Sequence, residues 1–421
     1  MTAPPPNPVR RIWNALGPGV ITGAADDDPS GIATYSIAGA QLGTSMLWTA
    51  MLTWPLMVAV QLECARIGMV TGSGLMAALR KKFPRWLVIA VAVALLAANV
   101  INIGADLAAM SDSASLLAGA RPHLWIVAAF GLLIVFTTIW LRYATIASVL
   151  KWLCISLFAY VIAGIRLGPP WATIAHATFV PSWPVGHDGW STLVAILGTT
   201  ISPYLFFWQA SQEIEEEKKL GHFTVRSRRG ATRAQLADRR LDVAVGGFFS
   251  NIVMYFIILT TALTLHVHGV TNISTSAEVA RALEPLAGKF STALYTAGVI
   301  GTGLLAIPVL AGAAAYALAE VFHWRQGMDA KASLAPAFYS VIALAVAGGA
   351  AMNLLELNPI HTLFWTAVIN GLLAPVLLVG IVVVAADRKL MRHQPSSRLS
   401  QVVVAIAAVL LAGAGVALFV G

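Results

Sequence analysis

Apolar residues dominate this 421-residue chain in long runs, without the strict alternation of strands or the narrow stripes of soluble helices. Eleven apolar segments can be marked, near 16–41, 46–69, 86–110, 124–141, 145–165, 191–213, 243–266, 291–321, 334–352, 362–386 and 400–420. Most approach the roughly 20 residues that a bilayer-crossing helix needs. The pattern predicts an all-α polytopic membrane protein with 11 transmembrane helices in a single domain over 1–421. One long polar stretch, from Glu213 to Arg240, predicts a solvated cytoplasmic loop at about 214–242. The stretch 166–190, rich in Pro, Trp and Gly, predicts an ordered cap at the opposite surface, where Trp prefers to sit.

Composition agrees with the pattern. The chain is 58% hydrophobic and 11% charged, against about 45–50% and about 25% for soluble domains. The formal net charge of +8 is spread over short stretches between apolar runs. That distribution favours membrane orientation over a nucleic-acid partner. With a cytoplasmic N-terminus, 23 of the 27 Lys and Arg fall inside, leaving Arg121, Arg166, Arg281 and Lys289 outside. The asymmetry predicts an odd number of spans and a C-terminus outside. The basic half of the 213–240 stretch then faces anionic lipid headgroups. Cys64 and Cys154 lie in apolar runs and read as small core residues, and "MTAPPPNPVRRIW" reads as a cytoplasmic tail without a cleavage site. No phosphate-binding loop, HExxH, GxSxG or paired-Cys motif is present, so neither an enzyme nor a bound cofactor is expected.

Two segments carry a break. The first contains "GPGVITGAADDDPSGIATYSIAGA", with Asp26, Asp27, Asp28 and Pro29 midway along it. The sixth contains "LVAILGTTISPYLFFWQASQE", with Thr199, Thr200, Ser202 and Pro203 at its middle. Proline removes a backbone donor and clashes with the preceding turn. Carbonyls freed in lipid need a partner, and the neighbouring hydroxyls and carboxylates point to an ion or small substrate as that partner. Breaks five spans apart predict two inverted five-helix repeats, about 16–165 and 191–386, with an extra helix at 400–420 and a site at the repeat interface. "DDDPSG" also fits the first half of a calcium-loop motif, but its twelfth position is Ile37 instead of Glu. Successive residues turn by about 100°, so Asp26 and Asp27 are expected to line the approach or bond to neighbouring helices while Asp28 meets the ligand. Asp106 reads either as a pathway group or as a satisfied buried acid. Asn370 reads as a ligand-facing or interhelical group, Asp112 as solvated, Glu63 as a partner of Arg66, and His266 and His268 as interfacial.

"GPGVITGAADDDPSGIATYSIAGAQLGTSMLWTAMLT" with "ARIGMVTGSGL", "ILGTTISPYLFF" and "AADRKLM" resembles the NRAMP family of proton-coupled divalent-metal transporters over most of the chain. The resemblance implies a LeuT-type fold, alternating access and a multi-pass protein of a bacterial inner membrane. It departs from the family in places. The first-span motif Asp-Pro-Gly-Asn becomes Asp28-Pro29-Ser30-Gly31, which keeps the ligand Asp and loses the ligand Asn. The sixth-span Met-Pro-His becomes Ser202-Pro203-Tyr204, and the family's backbone-carbonyl ligand falls at Thr199. A second histidine falls at Gln209, and Asp-Leu-Ala-Glu becomes Asp106-Leu107-Ala108-Ala109.

Asp28, Thr199 and Ser202 are thus the expected metal ligands, with Ser30, Gly31, Thr200 and Tyr204 around them. Asp26, Asp27, Asp106, Gln209 and Asn370 are expected along the pathway. Oxygen ligands suit a hard cation, so Mg²⁺ or Mn²⁺ is expected over Fe²⁺. The alternative is Na⁺- or H⁺-coupled uptake of a small anion such as bicarbonate, held at the half-helix N-termini while Asp28 holds the coupling ion. The expected partners are the lipid bilayer and a small inorganic ion, with the protein acting as a monomer and binding no nucleic acid.

Overall fold

A computed structural model describes residues 18–119, 124–141 and 155–420. The N-terminal tail, Arg121, Arg142, Lys151 and Cys154 lie outside the described residues. In chain order the helices are α1 Pro18–Asp26, α2 Pro29–Leu42, α3 Trp48–Thr71, α4 Leu75–Leu79, α5 Arg85–Ala118 and α6 Leu124–Trp140. Then follow α7 Phe158–Arg166, α8 Trp171–Phe179, α9 Gly186–Thr200, α10 Pro203–Lys219 and α11 Arg233–Thr264. The last are α12 Ser276–Arg281, α13 Glu284–Ala287, α14 Ser291–Phe322, α15 Pro336–Met352, α16 Pro359–Ala386 and α17 Arg398–Val420. No strand occurs among the described residues.

Seven helical stretches among the described residues are long and apolar enough to cross a membrane, and an eighth is counted when α2 and α3, bent by 109°, are taken together. The shortfall from eleven has physical causes. The halves of the first segment are short because the chain breaks between them, α6 has 17 residues, and positions 145–154 of segment 145–165 lie outside the described residues. Leu132, Val409 and Phe419 are exposed on outward faces, as expected where lipid replaces water.

Both breaks form where the sequence places proline. Asp28 has extended backbone angles and caps α2, with Pro29 opening the helix. Ser202 is the extended residue before α10, with Pro203 in its first turn. Proline suits a first helical turn because that turn needs no internal N–H bond. Both halves of the first span lie along α11 at very short range. An added Cβ on Gly23 would sit 2.4 Å from the Gly246 carbonyl oxygen, and one on Gly39 would sit 2.3 Å from that of Ile258. Helix α9 packs equally closely on α16, where a Cβ on Gly198 would sit 2.1 Å from the Ala367 carbonyl oxygen and 2.4 Å from the Gly371 nitrogen.

The polar stretch expected as a loop over 214–242 is helical at both ends. Helix α10 continues to Lys219 and α11 starts at Arg233 behind a Thr232–Gln235 capping box. Its acids and Arg239 pair across the two helices, which makes helical continuation favourable there. The 166–190 stretch folds in part as α8, and Trp48 Nε1 donates to the Ser182 carbonyl at 3.2 Å beneath Trp183. Cys64 is buried and free.

Candidate functional site

The chain breaks bring Asp28 to the centre of the bundle. Its Oδ1 accepts from the Gly31 backbone N–H at 2.8 Å and from the Ser30 hydroxyl at 2.6 Å. Its Oδ2 accepts from Asn102 Nδ2 on α5 at 3.2 Å. The Tyr204 hydroxyl of α10 lies 3.1 Å from the Ala25 carbonyl and 3.4 Å from Asp28 Oδ2. Its single proton therefore serves both a carbonyl at the end of α1 and the carboxylate. One carboxylate thus ties together α2, α5 and α10, while Tyr204 also reaches the end of α1.

These contacts count against the anion reading. The free amides at the start of α2 were expected to hold an anionic ligand. Asp28 itself occupies that place, taking the Gly31 N–H and the Ser30 proton. A second anion there would meet a carboxylate in a poorly screened setting.

At the second break, the Ser202 hydroxyl donates back to the Thr199 and Gly198 carbonyls at 2.6 and 2.9 Å, and the Thr200 hydroxyl donates to Ile196 O at 2.8 Å. These hydroxyls satisfy the end of α9, and their lone pairs stay available to a cation. Thr199 faces Gly31: a Cβ on Gly31 would sit 3.3 Å from each of Thr199 Oγ1, Asp26 O and the Tyr35 ring. The absence of a side chain at Gly31 is what lets the two breaks approach. Among the described residues no group of three or more His, Cys, Asp and Glu is arranged to hold a metal. Here a cation would meet Asp28 together with neutral oxygens.

Asp26 and Asp27 turn away from Asp28 toward α11, where the Ser250 hydroxyl lies 2.7 Å from Asp26 Oδ2 and 3.1 Å from Asp27 Oδ1. Both are buried, which seats them on a neighbouring helix and away from an open approach. Asp106 is fully buried on α5, and neither carboxylate oxygen has a hydrogen-bond partner. Asn370 is buried on α16, beside the Gly371 contact with α9. Asp112 is half-buried. His266 Nδ1 lies 2.8 Å from the Ala40 carbonyl at the far end of α2, away from the breaks.

Gln209 belongs to a ladder that closes one side of the site. Thr22 Oγ1 of α1 donates to Gln209 Oε1 at 2.8 Å, and Gln209 Nε2 donates to Glu213 Oε1 at 2.8 Å. Arg239 of α11 pairs with Glu213 at 2.7 Å and Asp242 at 2.6 Å, and also with Glu216. Asp242 Oδ2 then accepts the Gly19 backbone N–H at 2.7 Å. Both ends of the ladder grip α1. Arg239, Ser250 and Asn102 were not singled out in the sequence. Asn99, Asn102 and Asp106, spaced three and four apart in an apolar helix, were the available signal for the last of them. Glu63 does not pair mainly with Arg66. Its carboxylate accepts from Ser396 and Ser400, and Arg66 donates to the Gln394 and Pro395 carbonyls at 3.3 and 3.2 Å.

Two discontinuous helices, a buried carboxylate at one break and buried carbonyls met by hydroxyls at the other, define a helical membrane protein of the broken-helix transporter architecture. Solved structures share it. The Eremococcus coleocola manganese transporter matches with a TM-score of 0.74 at 16% identity, covering 100% of this chain and 90% of that one. Mhp1, a nucleobase-cation-symport-1 family transporter in a closed conformation, matches with a TM-score of 0.57 at 14% identity, covering 96% and 92%. Residues 19–421 match the family described as natural resistance-associated macrophage protein-like, and the chain belongs to this Nramp family. Its relatives include the divalent metal cation transporter MntH of Yersinia pestis, 26% identical over 70% of each chain. MntH of Caldanaerobacter subterraneus is 22% identical over 96% of this chain and 93% of that protein.

Proposed function

We propose that this protein is a secondary active transporter of a hard divalent cation, Mg²⁺ or Mn²⁺ in preference to Fe²⁺, working by alternating access. The observation that carries the reading is the Asp28 carboxylate at the first break, held by the Ser30 and Tyr204 hydroxyls, the Gly31 N–H and the Asn102 amide, with no soft ligand in that set. Membership of the Nramp family and the names of the MntH relatives support a divalent metal as cargo. Ser202 in place of a thioether removes the preference for softer metals. Mg²⁺ gives up its water reluctantly, and the small residues Gly31 and Ser202 suit an ion that keeps part of its hydration shell.

In the proposed cycle the cation meets the Asp28 carboxylate with the Thr199 carbonyl and Ser202 oxygen opposite. Release to the cytoplasm requires α1 to part from α10 and α11, which breaks the Gly19–Asp242 and Thr22–Gln209 links. The reading places the protein in a bacterial inner membrane, as a monomer with its N-terminus cytoplasmic and its C-terminus outside. The test is uptake by reconstituted liposomes of Mg²⁺, Mn²⁺, Fe²⁺ and radiolabelled bicarbonate, with and without Na⁺ and pH gradients. Uptake of Mg²⁺ or Mn²⁺ that is lost in Asp28→Ala is expected. Bicarbonate uptake without divalent flux would overturn the proposal.

A further inference from the structure

Helix α5 presents a polar face where its surroundings are apolar. Asn99, Asn102 and Asp106 are spaced three and four apart and so share one side of the helix. All three are at most 1% exposed. Asn99 Nδ2 donates to the Leu310 carbonyl at 2.8 Å, and Asn102 Nδ2 donates to Asp28 Oδ2 at 3.2 Å. Among the described residues the amide oxygens of both have no partner, nor do the two carboxylate oxygens of Asp106. A helix face that buries four unpaired oxygens is costly. Such atoms can accept a hydrogen-bond donor or a cation.

The placement of Asn102 is set by chemistry. An ionised carboxylate only accepts hydrogen bonds, so the amide must turn its nitrogen toward Asp28. That orientation leaves Asn102 Oδ1 one amide group away from the same carboxylate oxygen, fully buried and unpaired. In the first turn of α2, Gly31 has no side chain, and the Ser30 hydroxyl is already hydrogen-bonded to Asp28. Asn102 Oδ1 is thus a buried neutral oxygen on a second helix that has no hydrogen-bond partner among the described residues.

Resting on the transport reading above, we propose that Asn102 Oδ1 is a ligand of the transported divalent cation. Asn102 then has two jobs: its N–H orients Asp28, and its carbonyl oxygen shares the ion with that carboxylate. The cargo bridges α2 and α5 directly, and Asp106 stands one turn further along the same face to neutralise charge as the ion moves. A hard cation favours this amide oxygen over a soft ligand.

The two jobs separate by substitution. Asn102→Leu removes both the N–H and the oxygen. Asn102→Asp removes the N–H and keeps an oxygen at the same reach. Purified protein is assayed for Mn²⁺ binding by calorimetry and for Mn²⁺ and Mg²⁺ uptake in liposomes, with monodispersity and melting checked for each variant. Asn102→Leu is expected to raise the Kd and KM for Mn²⁺ by an order of magnitude or more, while Asn102→Asp binds Mn²⁺ at least as tightly as the unsubstituted protein. A residue that only positioned Asp28 would fail alike in both variants, and equal loss in the two overturns the proposal. So does unaltered affinity in Asn102→Leu. If Asn102→Leu does not fold, weakened Mn²⁺ binding in Asn102→Asp is itself the overturning result, and retained binding supports the proposal. Failure of the unsubstituted protein to take up either metal overturns the transport reading and this inference together; normal uptake with unaltered variants overturns this inference alone.

Discussion

Removing the Arg239 guanidinium should spring the closed side of the site. Its side chain is 12% exposed and faces Glu213 at 2% and Asp242 at 0% exposure. Glu216, at 39%, is half in water and adds little. Arg239→Ala takes the guanidinium away from two buried carboxylates, Glu213 and Asp242. Deleting one partner of a buried pair costs about 3–5 kcal/mol. The two end rungs exist only while α1 is docked, because Asp242 holds the Gly19 N–H and Gln209 holds the Thr22 hydroxyl. In the undocked state water solvates these acids, so the penalty falls on the closed state. At about 1.4 kcal/mol per decade, the lower figure moves the closed-to-open ratio by roughly two orders of magnitude. The assay uses Ala25→Cys as reporter, with Cys64 and Cys154 replaced by Ala. Ala25 is fully buried in the closed state. Maleimide labelling from the cytoplasmic face should speed up about in proportion to the open population. Arg239→Lys should fall between, since a lysine keeps the charge without the fork. A labelling rate in Arg239→Ala equal to that of the unsubstituted protein would refute the assignment of the ladder as the closure.

Asp28→Asn should abolish divalent binding measured by calorimetry while leaving the melting temperature unchanged or higher, because asparagine still caps α2 and a buried charge is gone. Gly198→Ala should lower the melting temperature: its Cβ would sit 2.1 Å from Ala367 O, and overpacking of this kind costs about 1–3 kcal/mol. At the surface, the Lys82 ammonium beside Asp387 holds that carboxyl below its ordinary value of 3.8. A depressed value in the folded state stabilises above the ordinary value and is lost as pH falls through the depressed one. Asp387→Asn should therefore melt lower than the unsubstituted protein at neutral pH, with the gap closing in melts run below pH 3.8.

The breaks were legible because their causes are local. Asp28-Pro29 and Ser202-Pro203 each place an extended residue before a proline, and both helices restart at the proline. The apolar segments were legible because lipid demands continuous runs. The partners of the polar groups were not. Asn102 reaches Asp28 across 74 residues, and Glu63 reaches Ser396 across 333. Hydrophobic pattern carries no information about which helices touch at that range. Arg239 shows the same limit from another side. In sequence it is one of eight basic residues between 218 and 240, and only its ion pairs with Glu213, Glu216 and Asp242 set it apart. Similarly, the i,i+3 rule proposed Arg66 for Glu63, and two distant hydroxyls won because α17 begins beside them.

Gly23 rests the first half of the first span on the Gly246 backbone of α11, and Gly39 rests the second half on the Ile258 carbonyl and the Thr261 hydroxyl. Interlocked side chains resist sliding, since each step forces rotamers through eclipsed angles. The backbone-on-backbone seat of Gly23 has none to reset. If the proposed alternating access holds, α11 would act as a low-friction bearing for a span jointed at Asp27–Asp28. The polar tethers at Asp242, Gln209 and Ser250 would then resist the movement. In such a machine turnover can be retuned by single substitutions at the tethers, with the frame that carries them left as it is.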